Sequence, residues 1–365
     1  MTGGLVLVTG GGGFVGSHVV DALVAAGLRV RVVDNFHPAA HAGVPDVLRD
    51  DVEHVVGDLA DDAVARTAVD GVSHVCHQAA MVGLGVDFGD VRAYVHHNDL
   101  ATASLLGALH ARGFAGRFVL ASSMVVYGEG RYRCAGHGVV RPGPRRRERL
   151  EAGLYEPECP RCGASLQPEP ITEDAPTDPR NVYAATKLHQ EHLCRSFERE
   201  HPGVVVTALR YHNVYGPMMP SDTPYAGVAG IFRSALARGE PPRLFEDGGQ
   251  LRDFVHVRDV ARANLHALTA TTPYSGALNV ASGRPRSVGD MANALADAFG
   301  PDAPRPRVVG GHRAGDVRHV FASPERAREV LGFSAAVAFE DGMHELARAA
   351  SRTPPAARPR ATVSP

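Results

Sequence analysis

The chain of 365 residues contains no tryptophan, and aromatic residues make up only 6% of it. Five cysteines at this length do not make a disulfide framework. No apolar run approaches the ~20 residues that a membrane span needs. The N-terminus runs into an apolar stretch without a charged leader, so the reading expects no signal peptide and a cytoplasmic location. The formal net charge of -2 argues against non-specific nucleic-acid binding. Lysine is nearly absent: of 38 lysines and arginines, only Lys187 is a lysine. Where every other such cation is arginine, one retained lysine marks a place that wants a compact point charge, not a planar guanidinium. The plain alternative is chance survival. Composition otherwise is that of a globular protein, 44% hydrophobic and 21% charged, long enough for one large or two modest domains.

What is present is organised around Leu5 to His18. Leu5 to Val8 is an unbroken apolar run that suits a strand buried on both faces. A turn follows with glycines at 10, 11, 12, 13 and 16. Gly10, Gly13 and Gly16 supply a sharp turn, a close approach to a ligand and a tight helix–strand contact. Val15 to Ala26 has helical periodicity, so its free N–H groups face whatever lies over the turn, which favours a pyrophosphate. A second strand, Val30 to Val33, ends in Asp34, at the spacing expected of a ribose ligand.

Further strands are expected at Glu53–Gly57, His74–His77, Arg117–Ala121, Val204–Arg210, Arg252–His256 and Ala277–Val280. Helices are expected at Asn98–His110, Asn181–Glu200, Val288–Phe299 and Ser323–Leu331. Strands alternating with helices give a parallel sheet covered on both faces, a doubly wound α/β fold. Asp58 either accepts from an adenine amino group or caps a helix. Residues 217–251 are rich in Gly and Pro and break the rhythm. Residues 351–365 form a Pro/Arg/Ala tail that is expected to be disordered.

The helix from Asn181 places Tyr183 and Lys187 one turn apart on one face. A tyrosine near its ordinary pKa of ~10 is a poor base, and a cation one turn away favours its phenolate. Tyr183 with Lys187 is therefore a candidate proton-transfer pair beside an oxidised nicotinamide, with Ser123 able to hold the same substrate oxygen. The bland alternatives are a half-buried tyrosine beside a surface lysine, and a loop serine.

Taken in order, Gly10-x2-Gly13-x2-Gly16, Asp58, Ser122-Ser123 before Val126-Tyr127-Gly128, Tyr183-x3-Lys187, Arg210-Tyr211-His212-Asn213 and Arg252-Asp253-Phe254-Val255-His256 resemble the extended short-chain dehydrogenase/reductases, in their nucleotide-sugar epimerase/dehydratase branch. The resemblance runs from Thr9 to about Asp316. It implies a seven-stranded Rossmann domain of residues 1–129 and 171–214, with 251–283 contributing. It also implies a smaller mixed C-terminal domain of 215–250 and 284–350 for a nucleoside diphosphate sugar, dTDP- or UDP-linked. A homodimer through the helices near 98–110 and 183–200 is implied as well. Cofactor contacts carry over to Gly10, Gly13, Phe14, Val15, Gly16, Asp34, Asn35, Asp58, Leu59, Gln78, Ala79, Ala80, Asn98, Tyr183 and Lys187. Substrate contacts carry over to Met81, Asn213, Arg252, Arg313 and Asp316. An acid at 34 repels a 2′-phosphate and so favours NAD over NADP. Dehydratases of the branch carry Asp-Glu where this chain has Met124-Val125, and apolar residues cannot eliminate water. The stretch Met81 to Gly85 and a cysteine-bearing insert resemble 4-epimerases of the dTDP-L-rhamnose kind. A 4-epimerase is the leading expectation. A 4-keto-6-deoxysugar reductase using the same residues is the alternative, and a non-catalytic dinucleotide sensor is the remote one.

Residues 130–170 stand apart, with three of the five cysteines, eight arginines and little periodicity. Cys134-x2-His137-Gly and Cys159-x2-Cys162-Gly are two knuckles offering Cys₃His, the donor set of a closed structural zinc site. Two chance pairs, or a Cys159–Cys162 disulfide, are the alternatives. The insert leaves after Ser123 and returns before Tyr183, so it is expected near the mouth of the site.

Overall fold

The computed structural model describes residues 4–38, 41, 49–83, 88–220, 227–312 and 316–349. Arg313 and the tail at 351–365 lie outside the described residues. Among the described residues no helix is long and apolar enough to cross a membrane.

The first half alternates as expected: β1 (Leu5–Thr9), helix Phe14–Ala25, β2 (Arg29–Asp34), β3 (Glu53–Val56), helix Asp62–Ala68, β4 (Val72–His77), helix Ala101–Ala111 and β5 (Arg117–Ser123). The insert holds β6 (Arg131–Cys134), β7 (Gly138–Val140) and β8 (Gln167–Glu169). After helix Val182–Glu200 come β9 (Val205–Tyr211), β10 (Asn213–Tyr215), β11 (Arg243–Leu244), β12 (Leu251–His256), β13 (Gly276–Val280), β14 (Pro285–Ser287) and β15 (Arg307–Val308).

Seven strands form one sheet in the order β13-β9-β5-β4-β1-β2-β3. Every neighbouring pair in it is parallel. The order reverses at β1 and β4, and a doubly wound sheet binds its ligand in the crevice beyond the strand ends at that point. All five residues of β1 are buried, which is why its sequence does not alternate. One face of the sheet packs Val19, Val20 and Leu23 with Val260, Ala263 and Leu268 of helix Val257–Thr269. The other packs Leu105 and Leu109 with Cys194 and Phe197 of helix Val182–Glu200.

The smaller C-terminal part is mixed. Strand β10 pairs parallel with β12, β12 antiparallel with β14, and β11 parallel with β15. Its core joins Phe232, Phe254, Met291, Leu295 and Met343. Phe232 belongs to helix Val228–Ala237, which arises within the stretch expected to be irregular. The helix takes Gly227 as its N-cap and carries only Gly230 within it, and the prolines of the stretch lie outside it.

The insert is also more ordered than its sequence suggests. Strand β6 pairs antiparallel with both β7 and β8. Tyr132, Cys134, Val140, Cys159 and Leu166 make a small core of its own. Strands of three or four residues are too short to show a period.

Candidate functional site

The glycine turn sits at the carboxyl end of β1. Gly10 has φ +66°, and a Cβ there would lie 2.7 Å from the backbone N of Ala79. A Cβ on Gly16 would lie 2.0 Å from the Gly10 carbonyl oxygen, so the helix can start this close only with glycine. Helix Phe14–Ala25 begins at Gly13 with no side-chain cap. The first-turn N–H groups at Phe14 and Val15 are therefore left to a ligand, as an anion site requires. The Asp34 carboxylate accepts from the N–H groups of Gly12 (3.0 Å) and Phe36 (2.9 Å), which fixes it over the turn.

Asp58 follows β3 and accepts from the Ala60 N–H at 2.9 Å, with Asn35 at 3.5 Å and His96 at 3.2 Å. Burial opposes it, yet the Ala60 N–H and His96 hold its carboxyl below the ordinary value. The capping alternative for Asp58 does not hold: Asp61 caps helix Asp62–Ala68, accepting from Ala63 and Val64. Leu59 beside it is buried.

Beyond β4 the chain is pinned by Thr9, whose hydroxyl accepts from the N–H groups of Gln78 (3.1 Å) and Ala79 (3.0 Å). Ala80 continues this segment toward Met81. The Met81 N–H donates to Asn98 Oδ1 at 2.7 Å, and Asn98 Nδ2 donates to the Met81 carbonyl (3.1 Å) and Thr186 Oγ1 (2.9 Å). Asn98 is fully buried on a single π-helical turn, Val95–Leu100. Its amide is occupied in bracing the Met81 backbone, so it shapes the cofactor's surroundings from behind.

Ser123 is the last residue of β5. Helix Val182–Glu200 starts at Asn181, whose Oδ1 accepts from the Ala184 N–H at 2.8 Å. That cap sets Tyr183 in the first turn and Lys187 one turn on. The Lys187 ammonium donates to the Ala121 carbonyl at 2.9 Å, two residues before Ser123. Helix and strand end are thereby stitched together. Burial pushes the Tyr183 phenol up to about 12, opposed by a hydrogen bond with Ser123. Burial brings Lys187 down to about 8. The phenol is thus raised and not lowered in the protein alone: burial dominates, and Ser123, not Lys187, is the group that opposes it.

One turn past Lys187, Glu191 ties the same strand end from below. It accepts from Ser122 Oγ and pairs with Arg210 at 2.8 Å. Arg210 also donates to Tyr127 at 3.0 Å, and Tyr127 donates to Asn279 at 2.7 Å. Glu191 is a site residue that the spacing 183, 187, 191 along one helix face could have disclosed. Met124 and Val125 follow Ser123 in a short 3-10 turn and carry no titratable group.

On the C-terminal side, Asn213 Oδ1 is buried with no hydrogen-bond partner among the described residues. The Arg252 guanidinium donates to the carbonyls of Arg318 (2.9 Å) and Val317 (2.8 Å) and lies 3.2 Å from Asp316 Oδ1. The structure thus brings Arg252 and Asp316 together, with Val317 and Arg318 as the intervening grip.

In the insert, the ligand atoms of Cys134, His137, Cys159 and Cys162 all lie within 4.8 Å of one another. Cys134 Sγ and Cys159 Sγ are each 3.5 Å from His137 Nδ1, and Cys134 Sγ is 3.7 Å from Cys162 Sγ. Bonds of ~2.3 Å to sulfur and ~2.0 Å to nitrogen give tetrahedral edges of about 3.8 and 3.5 Å. The spacings match these, and Cys159 and Cys162 are both free thiols, not a disulfide. Gly138 (φ +65°) and Gly163 (φ +72°) close the two knuckles. Against burial, which raises it, the N–H groups of Arg161 and Cys162 bring the Cys159 thiol down to about 6.

A doubly wound sheet with a glycine turn, an acid closing β2 and a Tyr-Lys helix at the carboxyl edge defines a nicotinamide-dinucleotide enzyme. Comparison places it further. Residues 6–147 and 160–281 match the NAD dependent epimerase/dehydratase family, and the chain belongs to that family. It is similar to the dTDP-L-rhamnose 4-epimerase of Burkholderia thailandensis, 34% identical over 348 residues and 93% of each chain. It is 29% identical to the UDP-glucose 4-epimerase of Corynebacterium glutamicum over 339 residues, 90% of each. The crystal structure of Thermus thermophilus UDP-glucose 4-epimerase in complex with NAD superposes with a TM-score of 0.75 at 29% identity, covering 94% of this chain and 97% of that one.

Proposed function

We propose that the protein is a nucleotide-sugar 4-epimerase working through a transient 4-keto sugar. The observation that carries this reading is the gathering of Ser123, Tyr183 and Lys187 at the end of β5, where the Lys187 ammonium donates to the Ala121 carbonyl at 2.9 Å, with Met124-Val125 next in the chain. The glycine turn and the Asp34 carboxylate fit a dinucleotide, and NAD, when bound there, takes up and returns the C4 hydride. Tyr183 accepts the C4 hydroxyl proton and gives it back after the sugar has turned over. Ser123 holds the oxygen as it becomes a ketone. Lys187 supplies fixed positive charge at the strand end, which favours the phenolate during transfer. Met124 and Val125 offer no acid or base, so water is not eliminated. Asp34 selects NAD over its 2′-phosphorylated form.

Residues 1–129 and 171–214, with 251–283, serve as the dinucleotide domain, and 215–250 with 284–350 as the sugar-nucleotide domain. Met81, Asn213, Arg252, Arg313 and Asp316 are the substrate contacts in this reading. A dTDP-linked 6-deoxyhexose is the first substrate to try, given the Burkholderia relative. Two chains pair through the helices near 98–110 and 183–200, and Cys134, His137, Cys159 and Cys162 hold one structural zinc.

Pure enzyme incubated with dTDP-L-rhamnose, and separately with UDP-glucose, without added cofactor should yield the C4 epimer of one of them. If turnover instead requires stoichiometric reduced nicotinamide and converts a 4-ketosugar, the protein is a reductase and this reading fails. Metal analysis of protein purified without chelators should find one zinc per chain; markedly less in active enzyme would remove the zinc.

A further inference from the structure

The zinc-type cluster lies outside the site described above, yet it is wired to it. Tyr132, fully buried two residues before Cys134 on β6, donates to Glu129 at 2.7 Å. Glu129 accepts from the Arg318 N–H at 2.8 Å, and the His319 N–H reaches the Tyr132 hydroxyl at 3.2 Å. The Gly130 N–H donates to the His319 carbonyl at 3.0 Å, and a Cβ on Gly130 would lie 2.2 Å from that oxygen. From the far arm of the insert, Glu156 accepts from Arg318 Nε (2.8 Å) and lies 2.9 Å from His319 Nε2. Arg145 donates to the Asp316 carbonyl at 2.9 Å and to Glu246 at 3.0 Å.

Residues 316–318 in turn hold Arg252 through three contacts. They belong to no strand, and their position is set by what grips them. The ion pairs behind this grip centre on a buried carboxylate: Arg145 of the insert and Arg318 of the gripped segment, 6% and 4% exposed, both pair with Glu246, which is 1% exposed, whereas Glu156 is half exposed. Buried ion pairs of this kind fix one arrangement more than they add stability. Glu246 itself has φ +54°, a conformation a non-glycine residue keeps only when its surroundings enforce it.

We propose that the metal-closed insert is the positioning element for the substrate's diphosphate. Cys134, His137, Cys159 and Cys162, gathered on one ion, fold β6 and the Glu156 arm into a jaw that holds residues 316–319. Those residues hold Arg252 and Asp316 in place. The assignment of Arg252 and Asp316 to substrate rests on the 4-epimerase reading; the grip of the insert on 316–319 does not.

The test uses whole protein in four forms: wild type, Glu156→Ala, Arg145→Met, and Cys159→Ser with Cys162→Ser. Hydrogen exchange is read at the amides of Arg318, His319 and Val320, together with KM, kcat, bound NAD and zinc content. The expected result is loss of protection at 318–320 in all three variants, with the amides of β1 and β4 unchanged. KM should rise about tenfold, equivalent to about 1.4 kcal/mol, while kcat and NAD content hold. Zinc should remain in Glu156→Ala and Arg145→Met and be lost from the double serine variant. Unchanged protection at 318–320 after zinc loss would overturn the proposal. So would a fall in kcat with KM unmoved. Should no nucleotide sugar be turned over by wild type, the 4-epimerase reading falls, and exchange at 318–320 still decides whether the insert grips that segment.

Discussion

Tyr183 and Lys187 show what a single residue can disclose and what it cannot. Their place one turn apart on a single helix was legible from spacing, and the lysine stood out by its rarity. Their protonation was not, because it depends on burial that no local pattern encodes. Tyr183→Phe should cut turnover by about 10²–10⁴-fold while NAD remains bound, measured by initial rates and by nucleotide released on denaturation. Lys187 gives a pH signature. Its ammonium is lost near pH 8 in the folded protein, whereas in the unfolded chain it persists to about 10.4. Between these values the unfolded state binds more protons, so this group's contribution to stability grows with rising pH and is lost again as pH falls through about 8. Activity should move the other way, with kcat/KM falling as pH rises through about 8 because the charge beside Tyr183 disappears. Lys187→Arg, which keeps its charge, should flatten that limb at a lower overall rate. A wild-type profile level from pH 7 to 10 would contradict this role for Lys187. Asp58 and Asp61 make the complementary point: either could cap a helix by composition, and only the three-residue offset to the actual first turn decides it.

At the level of elements, long strands and helices were readable and short ones were not. Strand β1 announces itself as five buried residues in a row, and helix Val288–Phe299 has the bounds that its periodicity gives. The insert's strands carry no such signal, because their order comes from a core of five side chains and a cluster of three Cys and one His drawn from positions up to 28 apart. The glycine turn is the element with the least tolerance. Gly16→Ala would set a methyl 2.0 Å from the Gly10 carbonyl, and overpacking of this kind costs about 1–3 kcal/mol. NAD content after purification should fall sharply in that variant, and retention of wild-type NAD would show that the turn can yield. Asn98→Ala would strand the Met81 N–H and carbonyl, lowering stability by about 1–3 kcal/mol in a denaturant titration.

Across the whole molecule, the seven-stranded sheet and the smaller C-terminal part were legible as a rhythm and its loss, whereas their mutual fastening was not. Residues 316–320 tie the smaller part to the insert: they are paired to Leu251 and Arg252 on one side and to Glu129 and Gly130 on the other. Contacts between segments nearly 200 positions apart leave no trace in either segment alone. The scarcity of lysine has a practical consequence at this scale. An endoprotease specific for lysine has one place to cut the chain, after Lys187, and that residue is 3% exposed in the middle of a helix. The native chain should resist it, and each chain that opens should yield two pieces of nearly equal length. One band becoming two on a gel then counts unfolded molecules directly, and added NAD or nucleotide sugar should slow the conversion in proportion to how tightly it binds.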